Sequence, residues 1–125
     1  MPASGEHLTW AERNEKAAER LLQSWQDELA DWAVTMLFYA AVHFARAYVL
    51  SKGTAIITSH LGFDSLFFRS GGDPNLHKLY RRLKDESEAA RYDCRRYRQE
   101  DVLKLRTSFY EPLKNGLLKE IPRKA

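Results

Sequence analysis

Cysteine is nearly missing. Cys94 is the one thiol in 125 residues, so no intrachain disulfide staples the fold and no CxxC pair starts a zinc site. Four prolines and six glycines are too few for a collagen-like or low-complexity chain. There is no convincing run of period-two alternation, no internal repeat and no glycine-rich phosphate loop, since Gly71-Gly72 reads as a turn. Neither sign of charge dominates: twenty Lys and Arg against seventeen Asp and Glu leave +3, too little by itself to announce a nucleic-acid binder. Met1 to Leu8 lacks a basic stretch followed by an apolar run, so the expected address is the cytoplasm.

What is present describes a globular helical chain. With 44% apolar, 12% aromatic and 30% charged residues, the composition supports one core and excludes disorder. We expect a single domain over residues 9–119, with flexible ends at 1–8 and 120–125. Trp32 to Leu50 is long enough to cross a bilayer and carries one formal charge, Arg46. Five alanines, Thr35 and His43 interrupt it, and Arg46 is costly in lipid. The expectation is therefore no membrane, with this segment as the central helix of a bundle.

Helical periodicity and punctuation divide the chain. Thr9 with Glu12 matches a capping box, predicting a first helix from about Trp10 that turns Ala11, Ala18, Leu22 and Trp25 inward. The polar cluster Ser24 to Asp27 predicts a break. A second helix, about Glu28 to Ser51, carries Leu29, Trp32, Met36, Leu37, Ala40, Phe44, Ala47 and Tyr48 and ends at Gly53. Thr58 or Ser59 caps a shorter third helix with Leu61, Leu66, Phe67 and Phe68. Asp73-Pro74 opens a fourth, with Leu76, Leu79, Tyr80, Leu83 and Ala90 on one face. After the link Arg91 to Gln99, a last helix carries Val102, Leu105, Phe109 and Leu113 and is bent or shortened by Pro112. The fold class is all-α, a bundle of four to five helices.

Charge is unevenly distributed. Residues 1–31 hold seven acids and three bases, whereas residues 78–106 hold ten bases and six acids. The densest feature is Arg91-Tyr92-Asp93-Cys94-Arg95-Arg96-Tyr97-Arg98, with four arginines and two tyrosines in eight residues. Guanidinium forks match phosphate oxygens and phenol rings stack on bases, so Arg95, Arg96, Arg98, Tyr92 and Tyr97 have the ingredients of an RNA contact. The competing reading is structural: arginines after a helix meet its terminal carbonyls and pair with Asp85, Glu88 or Asp93. On the second helix, Tyr39, His43 and Arg46 share one side; a histidine there is either hydrogen-bonded in the core or open to a cleft. His43, His60 and His77 stand seventeen residues apart with no HxxxH or HExxH pair, so no metal is expected. Cys94 lacks a base nearby in sequence for nucleophilic chemistry.

The run Asp31-Trp32-Ala33-Val34 through Phe38-Tyr39-Ala40-Ala41-Val42-His43, then Ser59-His60, then Leu79-Tyr80-Arg81-Arg82-Leu83 leading to Ala90-Arg91-Tyr92, resembles a bacterial subgroup of the HEPN superfamily. The resemblance implies a small bundle of four or five helices, usually a homodimer, of a kind found in toxin–antitoxin pairs, antiviral defence and RNA processing. Many such domains are metal-independent ribonucleases that need no cofactor, and others are inactive binding or scaffolding versions. The catalytic forms carry an Arg, four to six residues, then a His. Here no histidine follows His77, and Arg69 precedes it by seven intervening residues, so the usual pair has no counterpart.

The positions that match the subgroup are Tyr39, His43, His60, Tyr80, Arg91 and Tyr92. We expect them, with Arg46, to converge in one polar cleft. There His43 or His60 would act as general base toward a ribose hydroxyl and Arg91 would stabilise phosphate charge. The alternative is a buried network that holds the helices in register. The function expected is RNA binding or processing, possible ribonuclease or toxin action included. The alternative is a silent protein-interaction module whose acidic first helix docks a basic antitoxin or defence-complex partner; a small-ligand sensor at His43 is a third reading.

Overall fold

In this computed structural model, residues 3–52 and 73–121 are described. The first helix, α1 (Ser4–Trp25), starts ahead of the Thr9–Glu12 pattern and runs through the stretch expected to be flexible. Thr9 Oγ1 donates to the Gly5 carbonyl at 3.2 Å inside the helix rather than capping it. The start is secured elsewhere: Glu6 accepts from the Ala3 N–H at 3.4 Å, and Ser4 Oγ donates to the Ala47 carbonyl at 3.1 Å.

The expected break is present as a 3-10 turn, Gln26–Leu29, with Gln26 at φ 49°. It reverses the chain into α2 (Ala30–Ser51). Contacts between Ser4 and Ala47 and between His7 and His43 make the pair antiparallel. Ala11 and Ala18 of α1, with Ala33, Ala40, Ala41, Ala45 and Ala47 of α2, are fully covered. Ala33, Ala40 and Ala47 recur at seven-residue spacing on the side of α2 whose Ala47 carbonyl meets Ser4, and small side chains on that side let the two backbones approach closely.

The helix α2 is the central element, touching α1 and every later helix. Its apolar run has the length and hydropathy of a membrane span, but 72% of that window is buried within the protein, as the middle of a bundle requires. One stripe of α2 is only partly covered: Trp32, Met36, Tyr39, His43, Arg46 and Leu50 recur at alternating four- and three-residue steps and are half-buried or exposed. Trp32, expected in the core, lies on this stripe in the first turn. Trp25, also expected inward, ends α1 beside the left-handed Gln26 and faces out.

The predicted third helix and its cap, like Gly53 and His60, lie outside the described residues. The helix α3 (Pro74–Tyr92) opens as its sequence indicates: Asp73 accepts from the Asn75 N–H at 2.9 Å and Pro74 takes the first position. It buries Leu76, Tyr80 and Leu83. Gly116 of α5 (Glu111–Glu120) faces Leu76 so closely that a β-carbon there would displace the leucine side chain.

The C-terminal stretch is one helix with a widened turn. The helix α4 (Gln99–Leu105) passes through a π-helical turn, Arg106–Tyr110, into α5. The Glu111 N–H bonds the Arg106 carbonyl five residues back, one residue ahead of Pro112, which has no N–H to give. The proline therefore interrupts the α-pattern without ending the helix.

The uneven charge is largely spent inside the molecule. Glu15 accepts from the Tyr110 hydroxyl at 2.8 Å and from Lys114 at 2.7 Å, and Glu19 pairs with Arg106 at 2.7 Å. Asp27 accepts from the Gln99 N–H at 2.7 Å, capping α4 from the α1–α2 turn. Burial and the Glu15 carboxylate push the Tyr110 phenol well above its ordinary pKa. The acidic first helix thus meets the basic half of its own chain, which removes Glu15, Glu19 and Asp27 from the docking surface expected for a basic partner.

Candidate nucleic-acid interface

The basic link begins on the last turn of α3. The N–H groups of Asp93 and Arg95 both bond the Ala89 carbonyl, at 3.1 and 3.2 Å, while Cys94 adopts a left-handed φ of 55°. This tight reversal sends alternate members of the arginine run to different places. Tyr97 turns inward, is 5% exposed, and donates to Glu86 Oε2 at 2.6 Å. Burial and that carboxylate raise its pKa strongly. Tyr97 is therefore not available to stack on a base, contrary to expectation.

Arg95 follows it. Its guanidinium pairs with Glu86 at 3.2 Å and lies 5.0 Å over the Tyr97 ring, and Arg82 reaches the same carboxylate at 3.4 Å. Arg95 is thus a positioning residue for the link. Arg96 has no carboxylate partner among the described residues, and Arg98 caps α4 through its backbone, donating to Asp101 at 2.9 Å while its side chain extends into solvent.

Arg91 is the ordered guanidinium of the group. It donates to Ser87 Oγ at 3.1 Å and to the Ser87 carbonyl at 3.3 Å. Its remaining nitrogen faces the Tyr39 and Tyr92 hydroxyls at 3.4 and 3.5 Å, and its carbon sits 4.9 Å from the Tyr92 ring centre. Tyr92 itself is 71% exposed. Beside this group opens a cavity of about 320 Å³ lined by Glu28, Asp31, Trp32, Arg91, Arg95 and Arg96, among others. Glu28, Asp31 and Trp32 had no functional expectation attached. A tryptophan in an apolar helix carries no sequence signal separating core from surface.

The histidine end of α2 forms a second cluster. His43 Nδ1 lies 2.9 Å from His7 Nδ1 on α1, one ring donating and the other accepting. The Trp10 ring is 6.3 Å away, with Arg13 stacked on it at 4.2 Å. Desolvation first, then His7 and Arg46, lower the His43 pKa to about 4; burial and Arg46 lower that of His7. At neutral pH the His43 ring is uncharged, a weak proton acceptor with no imidazolium proton to donate as an acid. His7 carries no functional expectation because it falls in the stretch 1–8 expected to be flexible. A signal existed, since His7, Ala11, Ala18 and Leu22 share one helical face.

Among the described residues, which exclude His60, the other members expected in one cleft do not share a single site. Tyr80 is a core residue, 1% exposed and 5.8 Å from the Phe38 ring. Tyr39 joins the remaining two groups: it lies one turn from His43 and touches Arg91. His43 itself is engaged with α1. Among the described residues, no three His, Cys, Asp or Glu side chains come together as a metal set.

The family model for the HEPN domain matches residues 5–111. The chain belongs to the HEPN domain family. That span covers α1 to the start of α5, including both clusters. No curated protein and no solved structure matches the chain. Membership is consistent with RNA-related, nuclease or toxin-type action, and HEPN domains commonly dimerise and occur in toxin–antitoxin systems. The Arg-to-His spacing of catalytic HEPN domains has no counterpart here, and in this HEPN chain the ordered Arg91 stands with tyrosines and a serine instead.

Proposed function

We propose that this HEPN-domain protein binds RNA through the surface where α3 ends and the arginine-rich link begins. The observation that carries the reading is the Arg91–Tyr92–Arg96 group: two guanidiniums without carboxylate partners among the described residues, next to an exposed ring and an open cavity. Such groups suit phosphates and unstacked bases, whereas Arg95 and Tyr97 shape the link. RNA cleavage by His43 is the lesser reading. Its ring is neutral, hydrogen-bonded to His7 and, among the described residues, without an acidic partner for the leaving oxygen.

The same reading takes the protein as a homodimer. Trp10 and Trp25, both about half exposed on α1, support it, because large rings facing water favour an interface.

Binding of a fluorescent single-stranded RNA, measured by anisotropy across a salt series, tests the proposal. Affinity should fall steeply with salt, and the double change Arg96→Ala, Arg98→Ala should reduce the slope of log K against log salt by roughly 0.7 for each phosphate that the variant no longer neutralises. An unchanged slope and affinity would remove the assignment.

A further inference from the structure

The cavity beside Arg91 carries charges of both signs that do not neutralise one another. Glu28, Asp31, Arg91 and Arg96 are all in its lining. Yet among the described residues neither carboxylate has an ion-pair partner, and neither arginine has a carboxylate within 4.0 Å. The fold holds them apart: Glu28 belongs to the 3-10 turn and Asp31 to the first turn of α2, while Arg91 is fastened to Ser87 on α3. Arg95, the remaining cation in the lining, is already paired with Glu86. Trp32, 54% exposed, lines the same space.

An occupant must therefore offer a flat ring for the indole, hydrogen-bond donors for the carboxylates and an anion for the arginines. A nucleotide meets all three demands, and the four bases meet them unequally. Guanine presents two adjacent donors, N1–H and the N2 amine, on one edge, and these fit a single carboxylate in a two-pronged bond. Adenine and cytosine offer only an amine beside an acceptor that a carboxylate repels. Uracil has one N–H flanked by two acceptors. The cavity volume of about 320 Å³ is that of a small-ligand site.

We propose that this cavity is a guanine-reading subsite, in which Trp32 stacks on the base, Asp31 or Glu28 accepts from its Watson–Crick edge, and Arg91 with Arg96 takes the adjoining phosphate. It deepens the RNA-binding reading and rests on it for its place in an RNA strand. Trp32 and the two carboxylates determine specificity; the arginines supply affinity whatever the base.

Two measurements on the full chain separate the subsite from the wider reading. In the first, uridine heptamers carrying one central G, A, C or U are titrated at fixed salt. The G-containing strand should bind about tenfold tighter, the discrimination of one good two-pronged contact. Trp32→Ala, or the pair Glu28→Gln, Asp31→Asn, should bring the four strands within about twofold of each other while all still bind. Arg96→Ala should weaken all four alike. In the second, GMP, AMP, CMP and UMP are titrated against tryptophan fluorescence, with Trp32→Phe as control. Only GMP should quench, and only when Trp32 is present. Equal binding of the four heptamers without GMP quenching overturns the guanine subsite and leaves RNA binding standing. GMP quenching without heptamer binding keeps the subsite and overturns the RNA reading. Neither signal overturns both. Far-ultraviolet circular dichroism of each variant verifies the fold, which these half-exposed side chains do not support.

Discussion

Glu86 shows how one side chain organises the link. Its carboxylate is almost fully covered, yet it receives the Tyr97 hydroxyl at 2.6 Å and two guanidiniums at 3.2 and 3.4 Å. Removing it strands a buried phenol and frees Arg95. Glu86→Ala should therefore cost about 2–4 kcal/mol in urea unfolding, whereas Tyr97→Phe, which deletes only the hydroxyl, should cost about 1 kcal/mol. Equal small losses would show that the link is held some other way. The His7–His43 pair makes a pH prediction. The folded-state pKa of His43, about 4, lies below the ordinary 6.5, so the unfolded chain takes up this proton first. The stability contributed is complete above pH 6.5 and is lost as pH falls from 6.5 toward 4. Thermal melts should show a fall in Tm over that window that is smaller in the double variant His7→Gln, His43→Gln. An identical fall would exclude the pair as its source.

At the scale of elements, the α1–α2 hairpin depends on smallness rather than bulk. Ala40 is 0% exposed in the central helix, so Ala40→Leu, a change that costs an isolated helix little, should destabilise by about 1–3 kcal/mol through overpacking. Guanidinium unfolding checks it; a neutral or stabilising result would mean that the helices are not in close contact there. The π turn belongs to this scale too. By spending an extra residue before Pro112 it keeps α4 and α5 on one course and brings Tyr110 to Glu15.

For the whole molecule, polarity of charge is a folding device. Glu15, Glu19 and Asp27 join the first third of the chain to its last third through Tyr110, Lys114, Arg106 and Gln99. Within the basic link, Arg91 and Arg96 have no carboxylate partner among the described residues, and the proposed RNA surface rests on them. The proposed homodimer belongs to this scale as well. Sedimentation equilibrium should return twice the chain mass, and Trp10→Ala with Trp25→Ala should shift it toward one. A monomer at tens of micromolar would remove the dimer from the reading.

The helical class, the break near Gln26, the Asp73–Pro74 start and the perturbation at Pro112 are all legible in the sequence. They rest on local rules of periodicity, capping and missing N–H groups, which act within a few residues. The family resemblance was legible for the same reason, since it lies in short runs such as Phe38 to His43. The fates of Trp32, Tyr80, Tyr97 and His7 were not. In a helix apolar on most sides, or an arginine run with tyrosines at both ends, every member has the same local credentials. Which ring is buried depends on neighbours far away in the chain: Glu86 for Tyr97, Phe38 for Tyr80, His43 for His7. Only tertiary packing chooses those neighbours, because desolvation and pairing are decided between elements and not along them.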